Sequence, residues 1–181
     1  MPSLTSLYSR HEEAKVRRWE RAMKENNTMK FLSLRGRTPT LRLIGSFLAL
    51  QLISLIFLIS GLWWLPGFFI SIALTGIACV PWTILRGTID TKDDAPASVL
   101  DEYENSVVSF WNRLTLRLLH AWTFIIGFVI IISTLADFYE YLGVSQTRWT
   151  IILGYLVLDI SSAITSLPAI GYALTFHTQE D

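Results

Sequence analysis

The chain has 181 residues, 51% of them hydrophobic, with 15 Lys/Arg against 15 Asp/Glu and mean hydropathy +0.42. That is one folding unit, and it is more apolar than a soluble domain usually is, so lipid is the expected solvent. A single cysteine, Cys79, excludes a disulfide framework, and as a lone thiol in an apolar run it is expected simply to pack.

Net charge zero hides a sharp asymmetry. Residues 1–42 hold ten Lys/Arg against the four acids Glu12, Glu13, Glu20 and Glu25. These acids argue against an Arg-rich transit peptide, and no Ala-x-Ala site follows the first apolar run, so the arm is expected to stay with the mature protein. Ser9-x-x-Glu12 reads as a capping box opening a helix over about 10–25. Val16, Trp19 and Met23 share one face, and Arg17, Arg18, Arg21 and Lys24 fill the others. This is a basic amphipathic helix, either solvated or lying on anionic lipid headgroups. No nucleic-acid-binding motif accompanies the charge. Asn26-Asn27-Thr28 ends the helix, and 28–38 reads as a linker.

Residues 43–85 contain no Asp, Glu, Lys, Arg or His. A span needs about 20 apolar residues to cross roughly 30 Å, so the run holds two helices and a turn, Gly61-Leu-Trp-Trp-Leu-Pro-Gly67. Trp63 and Trp64 belong at headgroup level. Thr38 and Pro39 read as N-cap and first residue of helix one, about 39–62, and helix two covers about 68–85 with Pro81 expected to kink it beside Trp82.

Asp90, Asp93, Asp94 and Pro96 mark a loop, after which Ser98-x-x-Asp101 resembles a second capping box. Leu100, Tyr103, Val107, Trp111, Leu114 and Leu118 then recur at helical spacing, and the pattern passes into an apolar run over 118–136. Helix three is therefore either continuous over about 99–136 or bent near 113–117, laying 98–117 on the membrane surface. Asp137, Glu140 and Gly143 form a short connection to the last apolar segment, 149–176, which exceeds a bilayer and is expected to kink beyond Pro168.

The expected architecture is all-α: a four-helix transmembrane bundle over 39–176, with spans of about 43–62, 68–85, 118–136 and 149–170, a cytoplasmic amphipathic segment 98–117, a basic arm 1–38 and a tail 177–181. Residues 1–42 and the 86–117 loop carry all Lys/Arg except Arg148, so the positive-inside rule places both termini in the cytoplasm.

No phosphate-binding loop, nucleophile elbow, Cys-x-x-Cys or His-Glu-x-x-His occurs, and His11, His120 and His177 are too scattered for a ligand set. The reading is of no enzyme, cofactor or metal. Each span instead carries a weakly polar stripe: Gln51 and Ser54; Ser71, Thr75 and Cys79; Thr123, Gly127 and Thr134; Tyr155, Asp159, Ser162 and Ser166. Asp159 lies near mid-bilayer with no Lys or Arg in any span, so we expect it protonated and inward-facing, with Tyr155 and Ser162 on its own helix and Gln51 as its cross-helix partner.

The segment Ala95-Pro-Ala-Ser-Val-Leu-Asp-Glu102, behind a Trp-capped hairpin and ahead of a third span, resembles the small four-span membrane proteins of actinobacteria over roughly residues 40–140. Tyr103-Glu104 stands where that family often has Arg-containing sequence. The resemblance implies four spans and a bacterial plasma membrane, and no activity. The sequence expectation is thus a non-enzymatic accessory or assembly subunit that binds a larger membrane complex or itself. The alternative is a small proton-coupled transporter or channel using Asp159.

Overall fold

The computed structural model describes residues 13–21, 34 and 36–177. The Ser9 capping box, Met23, Lys24, the 26–28 sequon and the 178–181 tail lie outside them. Among the described residues the fold is all-α. Helix α1 covers 13–21, α2 Arg37–Ser60, α3 Leu65–Thr88, α4 Glu102–Leu135, α5 Phe138–Tyr141, α6 Gln146–Thr165 and α7 Leu167–Phe176. Four helical segments are long and apolar enough to cross a membrane: α2, α3, α4 and the α6–α7 pair. The protein is therefore a multi-pass integral membrane protein.

Helices α2 and α3 form the expected hairpin. Its turn is tight because Gly67 has no side chain: a Cβ there would meet the Ser60 hydroxyl and the Phe57 carbonyl. Trp63 and Trp64, 60% and 50% exposed, project from the turn. The start of α2 differs from expectation. The N-cap is Gly36, and Pro39 is the third helical residue. Its missing N–H still costs nothing, because the first helical bond is donated by Thr40 to the Gly36 carbonyl (3.1 Å). Pro81 lies inside α3, which runs on past it to Thr88.

Helix α4 is continuous over 34 residues, about 51 Å at 1.5 Å each. Its cap is Asp101, not Ser98: Asp101 Oδ1 accepts from the Glu104 N–H (2.7 Å), and Glu104 Oε2 accepts from the Asp101 N–H (3.3 Å). The inward face also differs. The residues buried in its first half are Glu104, Val108 and Thr115, with Trp111 partly covered between them, whereas Tyr103 and Leu118 are exposed. The reason is polar: the Glu104 carboxylate is drawn inward by donors on neighbouring elements, and the apolar periodicity is rotated to suit.

The connection after α4 includes the helical turn α5, entered through Asp137 with φ 45° and left through Gly143 with φ 65°. Helix α6 ends at Thr165, and α7 begins at Leu167 with Pro168 in its first turn. Pro168 through Ala173 are all buried. The chain beyond the break is thus a wedge packed into the bundle.

Two apolar clusters result. One joins Ile44 and Phe47 of α2, Ala78 and Leu85 of α3, Val108 of α4 and Ala169 to Ala173 of α7 at the end nearest α1, the arm end. The other joins Leu58, Leu62, Val144 and Ile152 at the opposite, turn end. There, Trp63 Nε1 donates to the Leu142 carbonyl (3.2 Å), Arg148 Nη1 to the Leu62 carbonyl (3.2 Å), and Trp149 Nε1 to Ser133 Oγ (3.2 Å). Between the clusters lies a polar layer.

Candidate functional site

The polar layer is built from short side chains spaced for one face of each helix. Ser71 and Thr75 stand four apart on α3, Gln51 and Ser54 three apart on α2, and Asp159 and Ser162 three apart on α6. Thr75 Oγ1 donates to Asp159 Oδ1 at 2.9 Å. Ser54 Oγ lies 2.9 Å from Thr75 Oγ1 and 3.0 Å from Ser71 Oγ, and also 3.1 Å from the Ser71 carbonyl. Each hydroxyl has one proton. Thr75 gives its proton to Asp159, and the Ser54 hydroxyl, within reach of Thr75 Oγ1, Ser71 Oγ and the Ser71 carbonyl, links α2 to this pair, so that a chain of hydroxyls across three helices ends on the carboxyl group. Such chains polarise cooperatively in a low-dielectric interior.

Alongside it, Gln51 Nε2 donates to Ser162 Oγ (2.9 Å), and Ser162 Oγ donates to the Asp159 backbone carbonyl (2.7 Å). Asp159 is buried, 4% exposed, as expected. Its cross-helix partner is a correction: Thr75, with Gln51 bonded one helical turn away. Tyr155, one turn before Asp159, lies beside the Thr75 side chain, and its ring packs edge-on against Phe68 with centroids 5.7 Å apart. Thr75, Ser54 and Ser71 were visible as polar stripes in the sequence. Their convergence on Asp159 was not, because stripe membership says nothing of helix rotation.

Two other stripe assignments fail. Cys79 is exposed, within 3.5 Å of the Thr75 carbonyl of its own helix. Thr123 and Thr134 are exposed and donate to carbonyls four residues back, while nothing lies within 4 Å of the position a Gly127 Cβ would take. A hydroxyl that bonds its own backbone needs no neighbour.

A second polar cluster closes the arm end. Lys92 Nζ and Tyr172 Oη (2.6 Å) both donate to Glu104 Oε1, joining the α3–α4 loop, α4 and α7. Trp111 of α4 lies over Gly171, where a Cβ would overlap the indole. Thr40 Oγ1 lies 3.2 Å from His177 Nδ1. Thr88, Asp90, Lys92, Glu104, Tyr172 and His177 surround a cavity of about 230 Å³. The loop beside it takes two consecutive left-handed residues, Asp90 (φ 53°) and Thr91 (φ 51°), an unusual conformation for a β-branched side chain. Arg86 pairs with Asp93 at 3.1 Å and lies 5.2 Å from the Trp82 ring centroid. Burial raises the Asp93 carboxyl above its ordinary 3.8, and the adjacent guanidinium offsets only part of the rise. Glu104 is the residue that anchors this end.

Of the basic arm, Arg17, Arg18 and Arg21 are exposed on α1, and Arg17 pairs with Glu13 at 3.4 Å. Ala14, Lys15, Arg18 and Trp19 share a cavity of about 480 Å³ with Arg86, Thr91 and Asp94. No group of three or more His, Cys, Asp or Glu able to hold a metal occurs among the described residues. No protein-family model, curated protein or solved structure matches the chain.

Proposed function

We propose that the protein is a non-enzymatic accessory or assembly subunit, bound to a larger membrane complex or to further copies of itself. The observation that carries this reading is that Asp159 accepts from Thr75 at the end of a hydroxyl cluster formed with Ser54 and Ser71. A carboxyl group used in this way braces α2, α3 and α6 against one another. The arm end adds a second brace through Glu104, leaving the long helix α4 with most of its membrane half turned outward. Both termini are assigned to the cytoplasm on the basic-residue distribution, and the resemblance favours a bacterial plasma membrane. The cavity shared by α1, Arg86 and Asp94 favours an arm docked on the α3–α4 loop, at a level where its remaining cations meet anionic headgroups.

The test is mass spectrometry of the tagged protein purified in mild detergent. A stoichiometric larger assembly, or a defined homo-oligomer, is expected. Recovery as a monomer, together with loss of function in a well-folded Asp159→Asn variant, would favour the second reading, a proton-coupled transporter or channel. One observation stands on that side: Asp159 lines a groove on the bundle surface as well as the brace.

A further inference from the structure

Between α2 and α6 lies a groove of about 360 Å³, a size suited to a small ligand or part of a larger one. Leu48, Leu52, Ile160 and Ile164 supply apolar walls, and Gln51 and Asp159 supply the polar floor. Leu52 is 61% exposed, so the groove opens sideways towards lipid.

Gln51 is 8% exposed, and its Oε1 has no hydrogen-bond partner. The orientation of that amide follows from its neighbour. Ser162 Oγ spends its single proton on the Asp159 carbonyl, so towards Gln51 it can only accept, and Gln51 must present its NH2 group. The atom left over is therefore an acceptor. A buried acceptor without a donor costs free energy, and Gln51 is one of the residues lining the groove, so a donor entering there meets the acceptor once the amide turns toward the opening.

Depth restricts what can supply the donor. Gln51 is nine residues, about 14 Å, from the turn end of α2, within a hydrocarbon layer about 30 Å thick. Phospholipid headgroups sit above that level, and their acyl tails offer only C–H. We propose that the groove binds a membrane-dissolved molecule with a hydroxyl on an apolar body, an alcohol or phenol, whose O–H donates to Gln51 Oε1. The walls take the apolar body, and Gln51 selects the hydroxyl. This inference goes beyond the accessory reading and does not depend on it.

The experiment uses the full chain in lipid nanodiscs with a diazirine-bearing long-chain alcohol, and the methyl ether of the same probe as its control. Photolabelling within 48–55 and 160–167 is expected to favour the alcohol over the ether by about fivefold, the factor given by one hydrogen bond of ordinary net strength. Gln51→Leu is expected to remove that preference. Leu52→Trp, made at a position 61% exposed, is expected to fill the groove and abolish labelling by both probes. Equal labelling by alcohol and ether overturns the proposal. That outcome means either that acyl chains fill the groove or that Asp159 itself supplies the proton. Retention of the alcohol preference in Gln51→Leu overturns it as well.

Discussion

Gly171→Ala sets two effects of opposite sign against each other. In a helix interior, replacing Gly by Ala stabilises by about 1 kcal/mol through propensity alone. At this position the new methyl would overlap Cε2, Cδ2 and Nε1 of Trp111, atoms in the middle of a rigid ring, so the indole must leave its seat on α7. Removing a fully buried Trp side chain costs about 3–5 kcal/mol, and Trp111 is only partly buried, so displacing it costs about half that, roughly 2–3 kcal/mol. The net expectation is a loss of about 1–2 kcal/mol. Reversible unfolding in mixed detergent–SDS micelles, followed by circular dichroism, measures it. The same change in a Trp111→Ala background should become neutral or stabilising, because the obstacle has gone while the propensity gain remains. A Gly171→Ala protein at or above wild-type stability, or one that loses equally in both backgrounds, refutes the argument.

Tyr172→Phe removes one of two side-chain donors to the buried Glu104 carboxylate and is expected to cost about 1.5–3 kcal/mol in the same assay, as hydrogen bonds to charged groups do; no change would show that Lys92 alone holds the clamp. Thr75→Val and Ser54→Ala should each cost about 0.6 kcal/mol, and at most about 1.7, the range for hydrogen bonds between membrane helices. The double variant should cost less than their sum, because both cut one chain, and strict additivity would dissolve that chain into independent pairs. Asp93 is raised in the folded loop, so as pH climbs from 3.8 the unfolded chain gives up its proton first and the folded protein holds more protons. Stability of the loop therefore falls with rising pH in that window, and Asp93→Asn should flatten the slope measured by limited proteolysis; an unchanged slope assigns it to another group. In a Cys79→Ser background, cysteines at the exposed positions Ser98 and Gln146 should label from the cytoplasm and from outside respectively, and the reverse pattern overturns the orientation.

The legible part of the fold was the part governed by length and charge. Forty-three uncharged residues cannot be one helix, and a 28-residue apolar tail segment containing Pro168 must break, as it does at Ser166. What escaped was rotation about each helix axis. In water an apolar stripe points inward, but in lipid the outward face is apolar too, so the pattern on α4 misjudged its inner face by about one residue and hid Glu104. The same ambiguity made Thr123 and Thr134 look like interface residues when their own carbonyls satisfy them. The start of α4 was misplaced for a local reason: Ser98-x-x-Asp101 and Asp101-x-x-Glu104 are overlapping signatures, and Glu104 completes only the second. For the site, Asp159 was conspicuous as a charge without a counter-charge, whereas Thr75 is one of sixteen threonines and becomes distinctive only where three helices meet.

The unbroken course of α4 has a mechanical consequence. About half of its 34 residues lie beyond the apolar run, so it is a stiff rod that carries about 24 Å of helix past its apolar half. A 10° change in tilt of the buried half, imposed by a neighbour pressing on Phe124 or Phe128, sweeps the outer half by about 4 Å if no joint absorbs it. That half carries the Glu104 anchor and the Trp111 seat on α7, both of which hold only while the rod keeps its angle. Both contacts lie on the same half of one unbroken helix, so a change in its tilt acts on the Glu104 anchor and on the Trp111 seat together.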